Sequence, residues 1–225
     1  MTEKNIRFAV QYAGEVSAVL LRPSSAECLL LMAHGAGAGM NHSFMTTMAD
    51  QLAAERVATF RFQFPYMEQR RRIPDHAKVL TVTVAAAVQA GSEAAPDLPL
   101  FAGGKSLGGR MTALAAAQQP LGNVRGLVFF GFPLHPPDKP GTKRAERLPL
   151  VKLPMLFLQG TRDKLADLKL LRPICAELGA RATLHIIETA DHSFHVLKSS
   201  GKSDAQVLGE LARTVGTWTQ SLLGR

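Results

Sequence analysis

Cysteine is nearly absent from this chain of 225 residues, with Cys28 and Cys175 the only two. They stand far apart and have no metal-ligand spacing, so neither a disulfide scaffold nor a cysteine metal site is expected. Both are read as reduced, buried thiols. Aromatic residues are scarce, at 6%, and none is interleaved with the single basic run, Arg70-Arg71-Arg72. The net charge of +8 and the pI near 9.9 are therefore read as a solvated basic surface, with no nucleic-acid partner expected. No apolar run approaches the ~20 residues that cross a bilayer. The longest clean runs, Cys28–Ala33 and Leu153–Leu158, have the length of strands. The start, Met1-Thr2-Glu3-Lys4-Asn5, is polar and lacks the apolar core of a secretory signal. These absences together predict a cytoplasmic protein without a membrane partner, and they leave oligomeric state open.

What is present is ordinary globular material: 46% hydrophobic and 20% charged residues, enough for one sizeable core. A single domain over residues 1–225 is expected. Asn5–Val10 and Val16–Leu21 flank Gly14 as an opening hairpin. Strands are then expected at Cys28–His34, Val57–Phe64, Leu98–Ala102, Arg125–Phe132, Met155–Gln159 and Ala182–Glu188. Helices are expected at Ser43–Glu55, Pro74–Gln89, Met111–Gln119, Lys164–Leu178 and Ala205–Leu222. Strands that alternate with helices of ten or more residues predict α/β architecture with a mostly parallel sheet. The runs Leu29–Met32 and Leu127–Phe130 are apolar throughout, as strands covered on both faces must be. Leu134–Leu150 carries four prolines and is expected to be a loop or minimal cap over the sheet edge.

The densest chemical signal is Gly104-Lys105-Ser106-Leu107-Gly108, which fits G-x-S-x-G between an expected strand and an expected helix. A strand that turns sharply into a helix exposes the central serine at its tip, and glycines on either side relieve the crowding. Gly-Lys-Ser also ends a phosphate-binding P-loop. That motif needs a glycine where Pro99 stands, and the second Gly-Lys-Ser, Gly201–Ser203, has Val196 there. The P-loop reading is therefore set aside.

A serine hydroxyl is a poor nucleophile until a histidine, held by a carboxylate, removes its proton. Each part is available at the C-terminal end of an expected strand, where open α/β sheets place their sites. Asp163 follows the strand Met155–Gln159 and is the favoured acid; Asp167, expected one turn into the next helix, is the alternative. The ordinary structural job for Asp163 would be a helix N-cap. His192 follows the last strand and is the favoured base over His195. The pair His192/His195 also fits H-x-x-H, but with no second ligand cluster a metal is not expected. The loop His34-Gly35-Ala36-Gly37 can turn backbone N–H groups toward an oxyanion; Ala36 and Leu107 are the expected donors, with Gly37 the alternative. Arg70, Arg71 and Arg72 are carried as substrate-binding candidates for an anionic group.

The order serine, acid, histidine is that of the α/β-hydrolases, and the chain resembles that family from the hairpin to the last helix. More narrowly, His-Gly-Ala-Gly-Ala-Gly-Met at 34–40, Gly-Gly-Lys-Ser-Leu-Gly-Gly-Arg at 103–110 and Asp-His-Ser-Phe at 191–194 are similar to dienelactone-hydrolase-like proteins and to the hydrolase-like domain of testis-expressed protein 30. Dienelactone hydrolases use a cysteine nucleophile, whereas position 106 is serine, so their particular lactone chemistry does not carry over. What the resemblance implies is an α/β-hydrolase fold and a serine hydrolase of small-molecule esters or thioesters, working through an acyl-serine without a cofactor. Two other readings stay open: a peptidase or other C–X hydrolase with the same triad, and a hydrolase-like interaction module without activity.

Overall fold

A computed structural model describes residues 1–224; Arg225, the last residue of the expected domain, lies outside the described residues. The chain opens on a hairpin of β1 (Thr2–Val10) and β2 (Gly14–Arg22), paired from Thr2↔Arg22 to Val10↔Gly14. Six further strands follow: β3 (Cys28–Ala33), β4 (Val57–Phe62), β5 (Leu100–Lys105), β6 (Val124–Phe130), β7 (Met155–Gly160) and β8 (Ala182–Ile187). The eight form one sheet in the order β1-β2-β4-β3-β5-β6-β7-β8. β2 joins β4 antiparallel, and from β4 to β8 every pairing is parallel.

The helices are α1 (Ser43–Ala54), α2 (Pro65–Glu68), α3 (Ala77–Ala94), α4 (Leu107–Gln118), α5 (Leu168–Leu178) and α6 (Asp204–Leu222). Alternation along β3 shows how they cover the sheet. Leu29 and Leu31 face a core shared with Leu80 and Val84 of α3, Met111 of α4 and Leu171 of α5. Leu30 and Met32 face the opposite core, with Met45 and Met48 of α1 and Leu211 and Val215 of α6. A strand buried on both sides has no polar alternation to display, which is why it reads as a continuous apolar run. Burying one such leucine contributes about 2 kcal/mol. Trp218 of α6 lies so close over Gly126 that an added Cβ there would come within 2.6 Å of its ring.

Several boundaries move. The strand expected to reach Phe64 stops at Phe62, and Pro65 then opens the unforeseen short helix α2. The helix expected at Pro74 begins at Ala77 and runs on to Ala94. The strand before the elbow extends three residues further, through Lys105. The helix expected from Lys164 begins only at Leu168, because the Asp167 side chain accepts from the Lys169 N–H (2.8 Å) and caps it. Asp167 is thus the cap, not a residue one turn inside. Within residues 134–150 two short 3₁₀ turns form, Lys143–Ala145 and Leu148–Leu150; the second packs against α4, and Arg181, just before the edge strand β8, donates to the Pro149 carbonyl (3.2 Å).

Candidate active site

The site is built where β5 turns into α4. Ser106 sits at the turn with φ 51° and ψ −115°, a strained conformation for a residue with a side chain. Its N–H donates to the Phe130 carbonyl (3.1 Å), which fixes the turn against β6. The glycines around it are required by close approach. A Cβ on Gly104 or on Gly108 would lie 2.2 Å from the Ala33 carbonyl oxygen, and one on Gly103 would lie 1.9 Å from that of Val128. Backbone therefore packs directly on backbone, and the elbow is wedged between the ends of β3 and β6.

His192 bridges the two other polar groups. Its Nε2 lies 2.9 Å from Ser106 Oγ and its Nδ1 lies 2.7 Å from Asp163 Oδ2. A carboxylate only accepts, so the ring hydrogen belongs on Nδ1 and Nε2 is left to receive the serine proton. The Asp163 side chain is fully buried. Its remaining acceptor capacity is taken by Gln159 Nε2 (2.5 Å) on Oδ2 and by the Leu165 N–H (2.8 Å) on Oδ1. The loops that carry Asp163 and His192 touch: a Cβ on Gly160 would lie 2.3 Å from the Ala190 carbonyl oxygen.

His195 points elsewhere. Its Nδ1 meets Asp204 Oδ2 at 2.7 Å, and that partner raises the tendency of the ring to hold a proton. The two histidines of the H-x-x-H pair thus engage different carboxylates. Asp191, just before His192, accepts the N–H groups of Ser193 (2.8 Å) and His195 (3.0 Å) at Oδ1, closing a compact turn. This turn, not a helix, is what presents His192.

The loop after β3 lies against the serine; a Cβ on Gly35 would sit 3.8 Å from that of Ser106. The Gly37 N–H is committed to Tyr66 Oη (3.1 Å) and that of Ala38 to the Gly35 carbonyl (3.2 Å). Ala36 is exposed and borders the cavity beside Ser106. Leu107 is the first residue of α4, where an N–H has no intrahelical acceptor. His34 anchors the loop from below. It is fully buried, accepts the Phe64 N–H at Nε2 (3.1 Å) and holds the Gly35 carbonyl through Nδ1 (2.8 Å). Burial pushes its pKa down to about 4, so the ring is neutral.

The cavity at Ser106 has a volume of about 680 Å³. Phe44, Met45, Phe194 and Leu208 supply apolar lining, and His42, His195 and Asp204 line it too. Neither residues 134–150 nor the Pro65–Pro74 loop borders it. Arg70, Arg71 and Arg72 are all exposed and none reaches it. The short helix α2 carries the chain away, and Arg71 is tied to Asp75 (2.6 Å) and Gln69 (3.0 Å). The structure does not bring these three arginines to the cavity at Ser106.

Sequence reasoning missed Lys105, the residue before the serine. Its ammonium is buried, donates to the His192 carbonyl oxygen, and lies over the rings of Phe194 (5.2 Å) and Phe44 (5.6 Å). Burial lowers its pKa to about 8, while Asp163 and Asp191 act in the opposite direction. A lysine at the unspecified position of G-x-S-x-G carries no signal; its place on the last residue of a buried strand does.

A family model described as an alpha/beta hydrolase domain matches residues 26–220. The chain belongs to the alpha/beta hydrolase family. Solved structures share the fold over nearly the whole length. Dienelactone hydrolase from Anabaena variabilis is 21% identical, with 98% of this chain and 97% of that one covered and a TM-score of 0.76. A Xanthomonas campestris protein described as an a/b serine hydrolase without lid is 18% identical, covering 97% and 95%, also with a TM-score of 0.76. A Thermus thermophilus protein is 22% identical over 100% of both chains, with a TM-score of 0.70. The expected α/β-hydrolase fold is thus the observed one, in a compact form like that of dienelactone hydrolase. No helix of the hydrolase, among the described residues, is long and apolar enough to cross a membrane.

Proposed function

We propose that this hydrolase is a single-domain serine hydrolase that cleaves small carboxylic esters or thioesters through an acyl-serine. The observation that carries the reading is His192, which spans Ser106 Oγ and Asp163 Oδ2 at 2.9 and 2.7 Å. Ser106 Oγ attacks the carbonyl carbon while His192 Nε2 takes its proton. The oxyanion forms against the N–H groups of Leu107 and Ala36, Gly37 being occupied by Tyr66. Collapse expels the alcohol or thiol, which takes the proton from His192. Water then attacks the acyl carbon, gives a proton to His192, and Ser106 leaves with it. Asp163 orients the ring and supports its charge throughout.

Lys105 is a positioning residue in this scheme. By holding the His192 carbonyl it fixes the loop from which the ring must reach Ser106. The apolar wall of Phe44, Met45, Phe194 and Leu208 suits an aliphatic or aromatic acyl group, in a cavity of the size that takes small ligands.

A panel of p-nitrophenyl esters and acyl-CoA thioesters of graded chain length tests the reading. Turnover of at least one class, with a burst of the first product equal to the enzyme concentration when deacylation is slow, is the expected result. No turnover on either class would overturn the substrate assignment.

A further inference from the structure

The Gly-Gly-Arg that follows the elbow ends in Arg110, which the triad does not use. Its N–H donates to the Ser106 carbonyl (3.1 Å), so it stands in the first turn of α4. Its side chain is half-buried and enters a second cavity, of about 310 Å³, on the side of α4 that faces residues 143–148. Arg144 enters the same cavity and is partly buried there too. Lys143 and Arg147 stand at its exposed rim, and Glu146 is the one acidic residue beside them.

The charge balance here is unusual. Burial is the main influence on both guanidinium groups and lowers their pKa values; Arg144 pushes that of Arg110 further the same way. No carboxylate offsets either one among the described residues. The other buried or half-buried Lys and Arg residues among the described residues each have an acceptor: Arg22 meets Asp97, Arg61 the Met40 carbonyl and Glu3 (its Nε alone being unpartnered), Lys105 the His192 carbonyl, and Arg181 the carbonyls of Pro149 and Val151. A partly desolvated guanidinium without an acceptor is costly, and two side by side repel each other. Each presents a planar fork of donors that matches the oxygens of a phosphate. Ala113 and Leu114 of α4, with Leu148, give the cavity an apolar floor.

We infer that this cavity is an anion-binding site, in which Arg110 and Arg144 hold the phosphate of a small phosphorylated molecule while Lys143 and Arg147 add attraction at the rim. The phosphate could belong to the substrate, as the leaving-group side of a phosphorylated thioester, or to a separate small molecule.

Titration of the whole protein with inorganic pyrophosphate, by calorimetry at fixed ionic strength, tests the site itself and needs no turnover. Saturable binding is expected, weakened at least about tenfold in Arg110→Gln/Arg144→Gln. The charge-matched control Lys169→Gln/Arg172→Gln on α5 should bind within about twofold of wild type. Circular dichroism confirms that both variants are folded; if the double variant is not, Arg144→Gln alone, on the surface segment, should weaken binding by several-fold. No saturable binding, or equal loss in both pairs, overturns the inference. A second arm separates the sources. A raised KM for acetyl-CoA but not for p-nitrophenyl acetate in Arg110→Gln/Arg144→Gln marks a substrate phosphate. An unchanged KM for both, with pyrophosphate binding lost, marks a separate phosphorylated ligand.

Discussion

The ammonium of Lys105 donates to the backbone carbonyl of His192, a residue 87 positions later in the chain. The immediate neighbour of Ser106, the proposed nucleophile, therefore holds the loop that carries His192.

Lys105→Met keeps most of the buried stem and removes the donor. Because a displacement of about 1 Å in a catalytic group can cost ~10²-fold, kcat should fall roughly 10- to 100-fold with little change in KM. The lysine pKa is about 8, so the wild-type ammonium is complete below that pH and lost above it. Turnover of the wild type should thus decline as pH rises through about 8, and Lys105→Met should lack that limb. A pH–rate profile of both proteins checks it.

Asp163 and Asp167 separate by function. Asp163→Asn should lower turnover by roughly 10³- to 10⁴-fold, since an amide can force the wrong tautomer on His192. Asp167→Ala should leave turnover intact and cost about 1 kcal/mol of stability, the loss of a helix cap. Steady-state kinetics and denaturant titration of the two variants distinguish the roles.

His195→Ala should retain most activity, because its ring faces Asp204 and not Ser106. His192→Ala should retain none above the background of about 10³-fold that binding and oxyanion donors alone provide. Kinetic comparison of two folded variants is sufficient.

His34 makes a stability prediction. Its folded pKa, about 4, lies below its ordinary 6.5. The unfolded chain therefore binds the extra proton between these values, and stability should fall as pH drops from 6.5 through 4. The full loss is about 3 kcal/mol. Denaturant titrations across that range should show a steeper fall in wild type than in His34→Gln.

The sheet was legible because β3, β6 and β7 are covered on both faces and carry almost no polar residues to confuse the reading. The elbow was legible because backbone-on-backbone contact at Ala33 and Val128 leaves only glycine possible at 103, 104 and 108. Asp163, His192 and Ser106, expected from strand ends and chain order, come together as the sequence suggested. What local pattern did not reveal depended on long-range placement. The path of Arg70–Arg72 is set by α2 and by Arg71 pairing with Asp75, neither of which local pattern reveals. The packing of Leu148–Leu150 on α4 goes with the burial of Ala145 and Leu148 in the core. Lys105 escaped because a charged residue gives no sign of burial until its acceptor, 87 residues away, is in place.

Covalent labelling with a fluorophosphonate, followed by peptide mass mapping, reports directly on whether Ser106 is an activated nucleophile. An activated serine should form one adduct per chain, on Ser106, and Ser106→Ala should form none while keeping its fold, since only a hydroxyl at a turn is removed. Absence of any adduct on the folded wild type, or an adduct that persists in Ser106→Ala, would contradict that role.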